Sequence, residues 1–379
     1  MRAYGTMGKR LILVGAGHAH LSTFLNLHNF VRRGHEALVI SPHPHYTYSG
    51  MGPGGLLGIY APEQGRIHIQ RLVELRGARF VSGAVEGIDP DIGRLFLQDG
   101  SKFDYDVVSF NIGSRVPVDS FSRLEGPWIT AKPIDNFPEA RQQLLDLLGS
   151  NHSPRLLVIG GGPAGVEISG NLARLLRDRD SGGAVSLVSG GRLLKIFPPR
   201  VRKLAAASLR KRGVEILEGN RVEALESGSA VLDDGRRLAA DYTVIASGVQ
   251  LSDLFRSSGL PVGPAGGLAV NSHLQCVDRP EIFGGGDCID YLERPLTKIG
   301  VVAYRQNPIL RANLRAALDG EQLLRFAPRT VYTLMFNLGD GTALYIRGGF
   351  SWVGRPVFFL KNRIDRRFME RHQAAERSL

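Results

Sequence analysis

The sequence predicts an α/β fold with parallel sheets, and three observations carry that prediction. Short apolar strands alternate with amphipathic helical patterns along most of the chain, which is how layers of helix over parallel strand read in sequence. One pattern then occurs twice. Residues 10–14 run into Gly15-Ala16-Gly17-His18-Ala19-His20, and residues 155–159 run into Gly160-Gly161-Gly162-Pro163-Ala164-Gly165. Each copy is followed by a further apolar strand, at 37–40 and at 184–188, so each begins a βαβ unit. The expected architecture is two Rossmann-like dinucleotide-binding domains of the three-layer ββα sandwich type, with a small C-terminal α+β region.

The closing elements repeat as well. Residues 105–114 and 242–248 are apolar strands ending in small-residue turns, and each follows a hairpin pattern with its turn at Asp99-Gly100 or Asp234-Gly235. The Ser181-Gly182-Gly183 patch reads as a loop. These signals place a discontinuous first domain over 1–115 and 255–320, a second over 116–254, and a C-terminal domain over 321–379.

Composition narrows the function. Glycine is abundant, 47 of 379 residues, without a repeating period, so many tight turns or close backbone approaches are expected. The two cysteines, Cys276 and Cys288, are too far apart for a redox motif, and a reducing cytoplasm is the expected compartment. No apolar run approaches the roughly 18 residues of a membrane span, and the 11–14 run is too short for a signal peptide. The chain is therefore expected to be soluble or peripheral. A net charge of +11 favours anionic partners or is simply a solvated basic surface. No zinc-finger, RRM-like or helix-turn-helix pattern points to nucleic acid.

A glycine turn between strand and helix lets the backbone approach a pyrophosphate. Gly160, Gly162 and Gly165 satisfy the full GxGxxG pattern in that setting. Gly15 and Gly17 begin the same pattern, but His20 stands at the third glycine and requires a shifted helix or a small partner. Both following strands lack the usual ribose-binding acid, with Ser41 after the first and Ser189 after the second. Arg192 lies close to Ser189, either to meet a 2′-phosphate or to face solvent.

Late in the chain, residues 282–288 form an apolar strand that ends in Gly286-Asp287, an acid suited to a ribityl hydroxyl. The order Gly15-x-Gly17, Gly160-x-Gly162-x-x-Gly165, Gly286-Asp287 resembles glutathione-reductase-like flavoproteins over about residues 9–320. The resemblance implies FAD held by Gly15, Gly17, His18, Ala19, Ser41, Pro42, Val85, Asn111, Gly113, Gly286 and Asp287. It implies NAD(P)H as co-substrate, held by Gly160, Gly162, Gly165 and Ser189. More narrowly, the chain resembles type II NADH dehydrogenases and sulfide:quinone reductases. It most resembles the flavoprotein module found fused to selenophosphate synthetase, through residues 17–20, 48–51, 305–310 and 364–369.

The lack of a redox cysteine pair argues against disulfide and sulfide chemistry, which leaves hydride in from NAD(P)H and electrons out to a quinone-like acceptor. The resemblance places Glu167 near the nicotinamide and flavin, where it orients the ring or relays a proton, unless it only answers the helix dipole. Lys298 is a candidate cation at the flavin edge or a surface lysine. Gln306 matches a glutamine of the quinone-side helix or is a surface amide. His43, His45, Tyr46 and Tyr48 suggest a pocket wall, since their spacing lacks the company a zinc site needs.

In the tail, Val357, Leu360, Ile364 and Phe368 are spaced to share one apolar helix face, and residues 361–379 carry net +3. Such a helix over 355–372 suits an anionic membrane surface, the inner face for a cytoplasmic protein, but also its own core or a homodimer seam. The expected function is an FAD-dependent NAD(P)H dehydrogenase with a quinone-type acceptor. The alternative is a flavin-containing partner protein of selenium or sulfur metabolism with little turnover of its own.

Overall fold

The computed structural model describes residues 8–377; the outermost residues of the expected first and last domains lie outside that range. Residues 10–14 are apolar enough to be buried on both faces, and Arg10–Val14 forms the middle of a five-stranded parallel sheet. Its order is Ile282–Gly284, Val107–Phe110, Arg10–Val14, Glu36–Ser41, Arg79–Ser82, with Ile12 facing both Leu38 and Val108. The second copy builds the same arrangement: Trp128–Thr130, Tyr242–Ile245, Arg155–Ile159, Ala184–Ser189, Val214–Glu218, again all parallel. The duplication expected from sequence is thus a duplication of sheets.

Each sheet carries a small antiparallel layer. Val85–Asp89, Arg94–Leu97 and Lys102–Asp104 form one, and Val222–Glu226, Ser229–Leu232 and Arg237–Ala239 belong to the other. Their hairpins turn where Asp-Gly predicts, with Gly100 and Gly235 at φ of 83° and 82°, a region that L side chains disfavour. The two segments that cross between the sheets pair with each other: Arg115 N–H donates to Gln250 O (2.9 Å) and Gln250 N–H to Arg115 O (2.8 Å).

The C-terminal region is a three-stranded antiparallel sheet, Thr333–Asn337, Ala343–Arg347 and Phe350–Gly354, followed by the helix Arg355–Ala375. It seats on the helix Pro163–Asp178 at a glycine contact: a Cβ on Gly170 would lie 2.3 Å from Leu338 O, and one on Gly339 would lie 2.1 Å from Gly170 O. Arg212, almost buried, adds an ion pair to Asp340 at 2.5 Å.

The C-terminal helix departs from its sequence reading. The face turned inward is Val357, Lys361, Asp365, Met369 and His372, while Leu360 and Ile364 are 47% and 46% exposed. Phe368 is partly buried and stacks on Tyr48, with ring centroids 4.7 Å apart. The reason is that Lys361 and Asp365 neutralise each other one turn apart. Lys361 Nζ donates to Asp365 Oδ2 (2.7 Å) and Gly50 O (2.7 Å), and Tyr48 OH donates to Asp365 Oδ1 (3.0 Å). Paired and hydrogen-bonded, the charges can be buried. The Asp365→Ala variant leaves Lys361 buried without its counter-ion and should lose about 3–5 kcal/mol of stability. The double change Lys361→Met with Asp365→Leu should recover most of that in urea unfolding. An Asp365→Ala variant as stable as the parent would contradict this account of the helix.

Candidate functional site

Two turns far apart in sequence meet on one side chain. At the end of the strand Arg10–Val14, Gly15 has φ 88°, and a Cβ there would lie 2.4 Å from Asn111 O. A Cβ on Gly17 would lie 2.4 Å from Asn111 Oδ1, and one on Gly286 would lie 2.5 Å from the same atom. The Asn111 side chain therefore fills the space between the first glycine turn and the Gly-Asp turn. Gln306 supports the latter from below, its Oε1 accepting from Gly286 N–H at 2.7 Å. Gln306 is 1% exposed, so the surface-amide reading is excluded. Asn111 Nδ2 and Gln306 Nε2 are both buried and have no partner among the described residues. Two orphaned amide donors around one glycine turn call for acceptors that the surrounding side chains and backbone do not supply. Phosphate and carbonyl oxygens supply such acceptors, so these residues fit FAD.

His20 resolves the missing third glycine. The chain makes a single 3-10 turn, His18–His20, before the helix Leu21–Leu25, which is the shifted entry the sequence required. The buried His20 ring lies 2.9 Å from Gly15 O through Nδ1 and 2.9 Å from Ser109 Oγ through Nε2. A carbonyl only accepts, so Nδ1 carries the proton. Burial pushes this histidine down to about 4, which keeps it neutral. His18 is lowered to about 4 as well, by burial against the opposing pull of Asp287, and its Nε2 meets Tyr46 OH at 2.8 Å. Ala19 is fully buried against Gly285.

Asp287 accepts through Oδ2 from Lys132 Nζ (2.7 Å) and Ser114 Oγ (2.8 Å). Burial alone would raise its pKa; Lys132 and Ser114 outweigh that and hold it below the usual carboxylate range. Lys132 was not singled out in the sequence, because a lone lysine before a proline carries no motif. Lys298 takes another place. It binds Ile289 O and Asp290 (3.1 Å), locking the strand that follows the Gly-Asp turn. Gly113 adjoins Ser114 with open space on its side-chain side. Ser41 is buried at its strand end, its carbonyl accepting from Gly83 N–H at 3.1 Å, two residues before Val85; Pro42 is exposed.

In the middle motif each glycine has a separate reason. Gly160 sits at φ 127°, where a Cβ would be 2.4 Å from Ala246 O. A Cβ on Gly165 would be 1.8 Å from Gly160 O, so only glycine lets helix and strand meet. Gly162 faces open space at the start of the helix Pro163–Asp178, where the helix N–H groups and dipole favour a phosphate. Ser189 is 6% exposed beside this turn.

On the next turn of that helix, Glu167 Oε1 accepts from Asn337 N–H at 2.6 Å. Burial pushes it up to about 7, against the lowering pull of Lys361. Burial would lower Lys361, but the Asp365 and Glu167 carboxylates outweigh it and hold its pKa up. Tyr48, Glu167, Lys361 and Asp365 thus form one buried cluster beneath the C-terminal helix. Of the expected ring residues, Tyr48 belongs to this cluster, Tyr46 bonds His18 instead, His45 packs on His68, and His43 is exposed. Lys361 and Asp365 were missed as site residues, although their i,i+4 spacing in an arginine-rich helix was visible.

Glu167 titrates the fold. Its folded value near 7 lies above the ordinary 4.5, so the folded chain retains a proton that the unfolded chain releases between those values. That contribution is full below pH 4.5 and is lost as pH rises through 7. Relative to Glu167→Gln, the parent should lose about 1–3 kcal/mol of unfolding free energy across that window. Parallel stability profiles for the two proteins would rule out the shift.

The family model described as pyridine nucleotide-disulphide oxidoreductase matches residues 9–307. The chain is 29% identical over 236 residues to the internal alternative NAD(P)H-ubiquinone oxidoreductase A1, mitochondrial, of Arabidopsis thaliana, covering 56% of this chain but 46% of that protein. It is 24% identical over 342 residues to demethylphylloquinone reductase NdbB of Synechocystis, covering 84% and 82% of the two chains. Among solved structures, the sulfide:quinone oxidoreductase of Aquifex aeolicus superposes with a TM-score of 0.82 at 18% identity, over 97% of this chain and 92% of that one. NDH2 of Plasmodium falciparum in complex with NADH gives 0.82 at 13% identity, over 97% and 96%. These two likenesses establish the two-domain fold.

Proposed function

The chain belongs to the pyridine nucleotide-disulphide oxidoreductase family, and from that premise we propose that it is an FAD-dependent NAD(P)H dehydrogenase passing electrons to a small quinone-like acceptor. The observation that carries this reading is the pair of orphaned amides, Asn111 Nδ2 and Gln306 Nε2, at the Gly286 turn. Bound FAD would supply the hydride acceptor for the nicotinamide and the electron donor for a second substrate. The chain supplies the rest. Gly15, Gly17 and Asn111 shape the cradle, Asp287 offers Oδ1 while Lys132 and Ser114 hold Oδ2, and Gln306 fixes Gly286. Lys298 is a positioning residue, because it secures the strand Ile289–Tyr291. Gly160, Gly162 and Gly165 admit the nicotinamide dinucleotide.

The family name includes disulphide chemistry, and this chain does not have its parts. Cys276 and Cys288 are buried free thiols, and burial pushes Cys288 up to about 11. A neutral, inaccessible thiol is a poor nucleophile. Electrons therefore leave to a diffusible acceptor, the class named for the relatives above. An apolar cleft lined by Tyr48, Met51, Gly55, Tyr60, Ile134 and Phe137 adjoins the Glu167 cluster and is the proposed approach for it. Glu167, with a pKa near 7, can hold or release a proton at neutral pH.

Anaerobic NADH or NADPH should bleach the flavin, and a short-chain quinone should restore its colour. Glu167→Gln should slow the second step about tenfold or more. A flavin that neither nucleotide bleaches would favour the partner-protein reading instead.

We further propose that the C-terminal helix docks on an anionic bilayer. Phe359, Leu360 and Ile364 are 66%, 47% and 46% exposed, Phe350 and Trp352 are exposed on the strand that precedes the helix, and Arg363, Arg367 and Arg371 are exposed on the helix itself. Exposed aromatics among arginines suit a headgroup interface. Among the described residues no helix is long and apolar enough to cross a membrane. Replacing Phe359, Leu360 and Ile364 together by Glu should abolish co-sedimentation with phosphatidylglycerol vesicles. Unchanged co-sedimentation overturns the proposal. So does a homodimer that this variant breaks, because the face would then be a subunit seam.

A further inference from the structure

The adenosine end of the second dinucleotide site has an unusual charge arrangement. In folds of this kind, an acid at the end of the second strand bonds the ribose 2′-hydroxyl and disfavours a 2′-phosphate, while an arginine nearby accommodates that phosphate. Here the strand Ala184–Ser189 ends in a buried serine, and it sits directly against the glycine turn: a Cβ on Gly161 would lie 2.2 Å from Ser189 Oγ. No carboxylate replaces it on that strand. The nearest, Glu218, pairs with Ser189 from the neighbouring strand, but its Oε1 is taken by Leu193 N–H at 2.5 Å. It holds the loop closed.

The loop itself is cationic. Arg221 lies across Gly190, where a Cβ would be 2.9 Å from Arg221 Cγ and 3.4 Å from its Nε. Lys195 borders Gly191, with Cδ 4.0 Å from the equivalent position. Arg192 is exposed on the same loop. Asp233 accepts from the Arg221 backbone N–H, and among the described residues the guanidinium has no hydrogen-bond partner. Among the described residues, none of these three cations has an acidic partner. Single unpaired arginines are common on a chain of net charge +11. Two arginines and a lysine on or against a two-glycine loop, at the strand end where the acid is missing, are a different matter. The glycines leave room beside the backbone, and guanidinium groups grip phosphate through paired N–H donors.

We propose that the 189–195 loop, with Arg221, is a 2′-phosphate site, and that this chain takes NADPH in preference to NADH. The inference rests on the pyridine-nucleotide reading given above and names its substrate more closely. The added phosphate takes no part in the redox step; it contributes only binding.

The test uses the FAD-loaded protein and two readouts. In anaerobic stopped-flow reduction, the limiting reduction rate divided by the dissociation constant should be about tenfold or more larger for NADPH than for NADH. In calorimetry, adenosine 2′,5′-bisphosphate should bind about tenfold or more tightly than adenosine 5′-diphosphate, with the difference shrinking at high salt. Arg192→Ala and Arg221→Ala should each pull both ratios toward one by about fivefold, and Arg→Lys should do so by less. A preference at or below one overturns the proposal, as do variants that weaken both nucleotides in parallel, which would mean a general adenosine clamp. If neither nucleotide reduces the flavin but the bisphosphate keeps its preference, the phosphate site stands and the redox reading falls. If neither reduces it and no preference is seen, both fall.

Discussion

The placement of Asn111 is the constraint on which the rest depends. Its side chain fills the gap between Gly17 and Gly286, two turns separated by most of the chain, and any Cβ at either position would collide with it. That contact fixes the spacing of the two turns proposed to hold the flavin. Gln306 braces Gly286 from below, and Asn307 on the same helix ties to His18 O at 3.0 Å and to Ser22 N–H at 2.7 Å. The helix Gly300–Asp319 therefore acts as the strut that holds both turns in register. The buried amides it leaves without partners are costly in the protein alone and become favourable once a ligand supplies acceptors.

The second organising feature is an inverted helix. Arg355–Ala375 turns a lysine and an aspartate inward and leaves phenylalanine, leucine and isoleucine outside. The inward pair links the C-terminal region to Tyr48 and Gly50 in the first unit and lies beside Glu167 of the second. One buried charge cluster thus joins all three parts of the chain. It also tunes Glu167, which burial alone would push higher and Lys361 pulls back toward neutrality. The outer face, where Phe359, Leu360 and Ile364 are exposed, is the part proposed to meet a bilayer.

Much of this was legible in the sequence for local reasons. Strand-glycine-helix patterns depend on close backbone contacts that only glycine permits, so Gly15, Gly160 and Gly165 announce themselves, and Gly17 and Gly162 follow from the spacing. The Asp-Gly hairpins are equally local. What escaped notice depends on contacts between distant segments. Lys132 reaches Asp287 across the chain, and nothing around it in sequence marks that. The tail helix misled because hydrophobic spacing assumes charges face water. The Lys361–Asp365 pair breaks that assumption by satisfying both charges inside. His20 looked like a defect in a motif and is instead a neutral bridge between Gly15 and Ser109.

On this reading the Asn111 amide donor, held between two glycine turns, is part of what binds the flavin. Replacing Asn111 by Asp keeps the shape and exchanges a donor for a charged acceptor. The measurement is bound flavin per chain, from the visible absorbance of the purified protein, alongside circular dichroism to confirm folding. The parent should be yellow with close to one FAD per chain, and the folded Asn111→Asp variant should have lost most of it. A colourless parent, or a variant that retains full flavin, would contradict it.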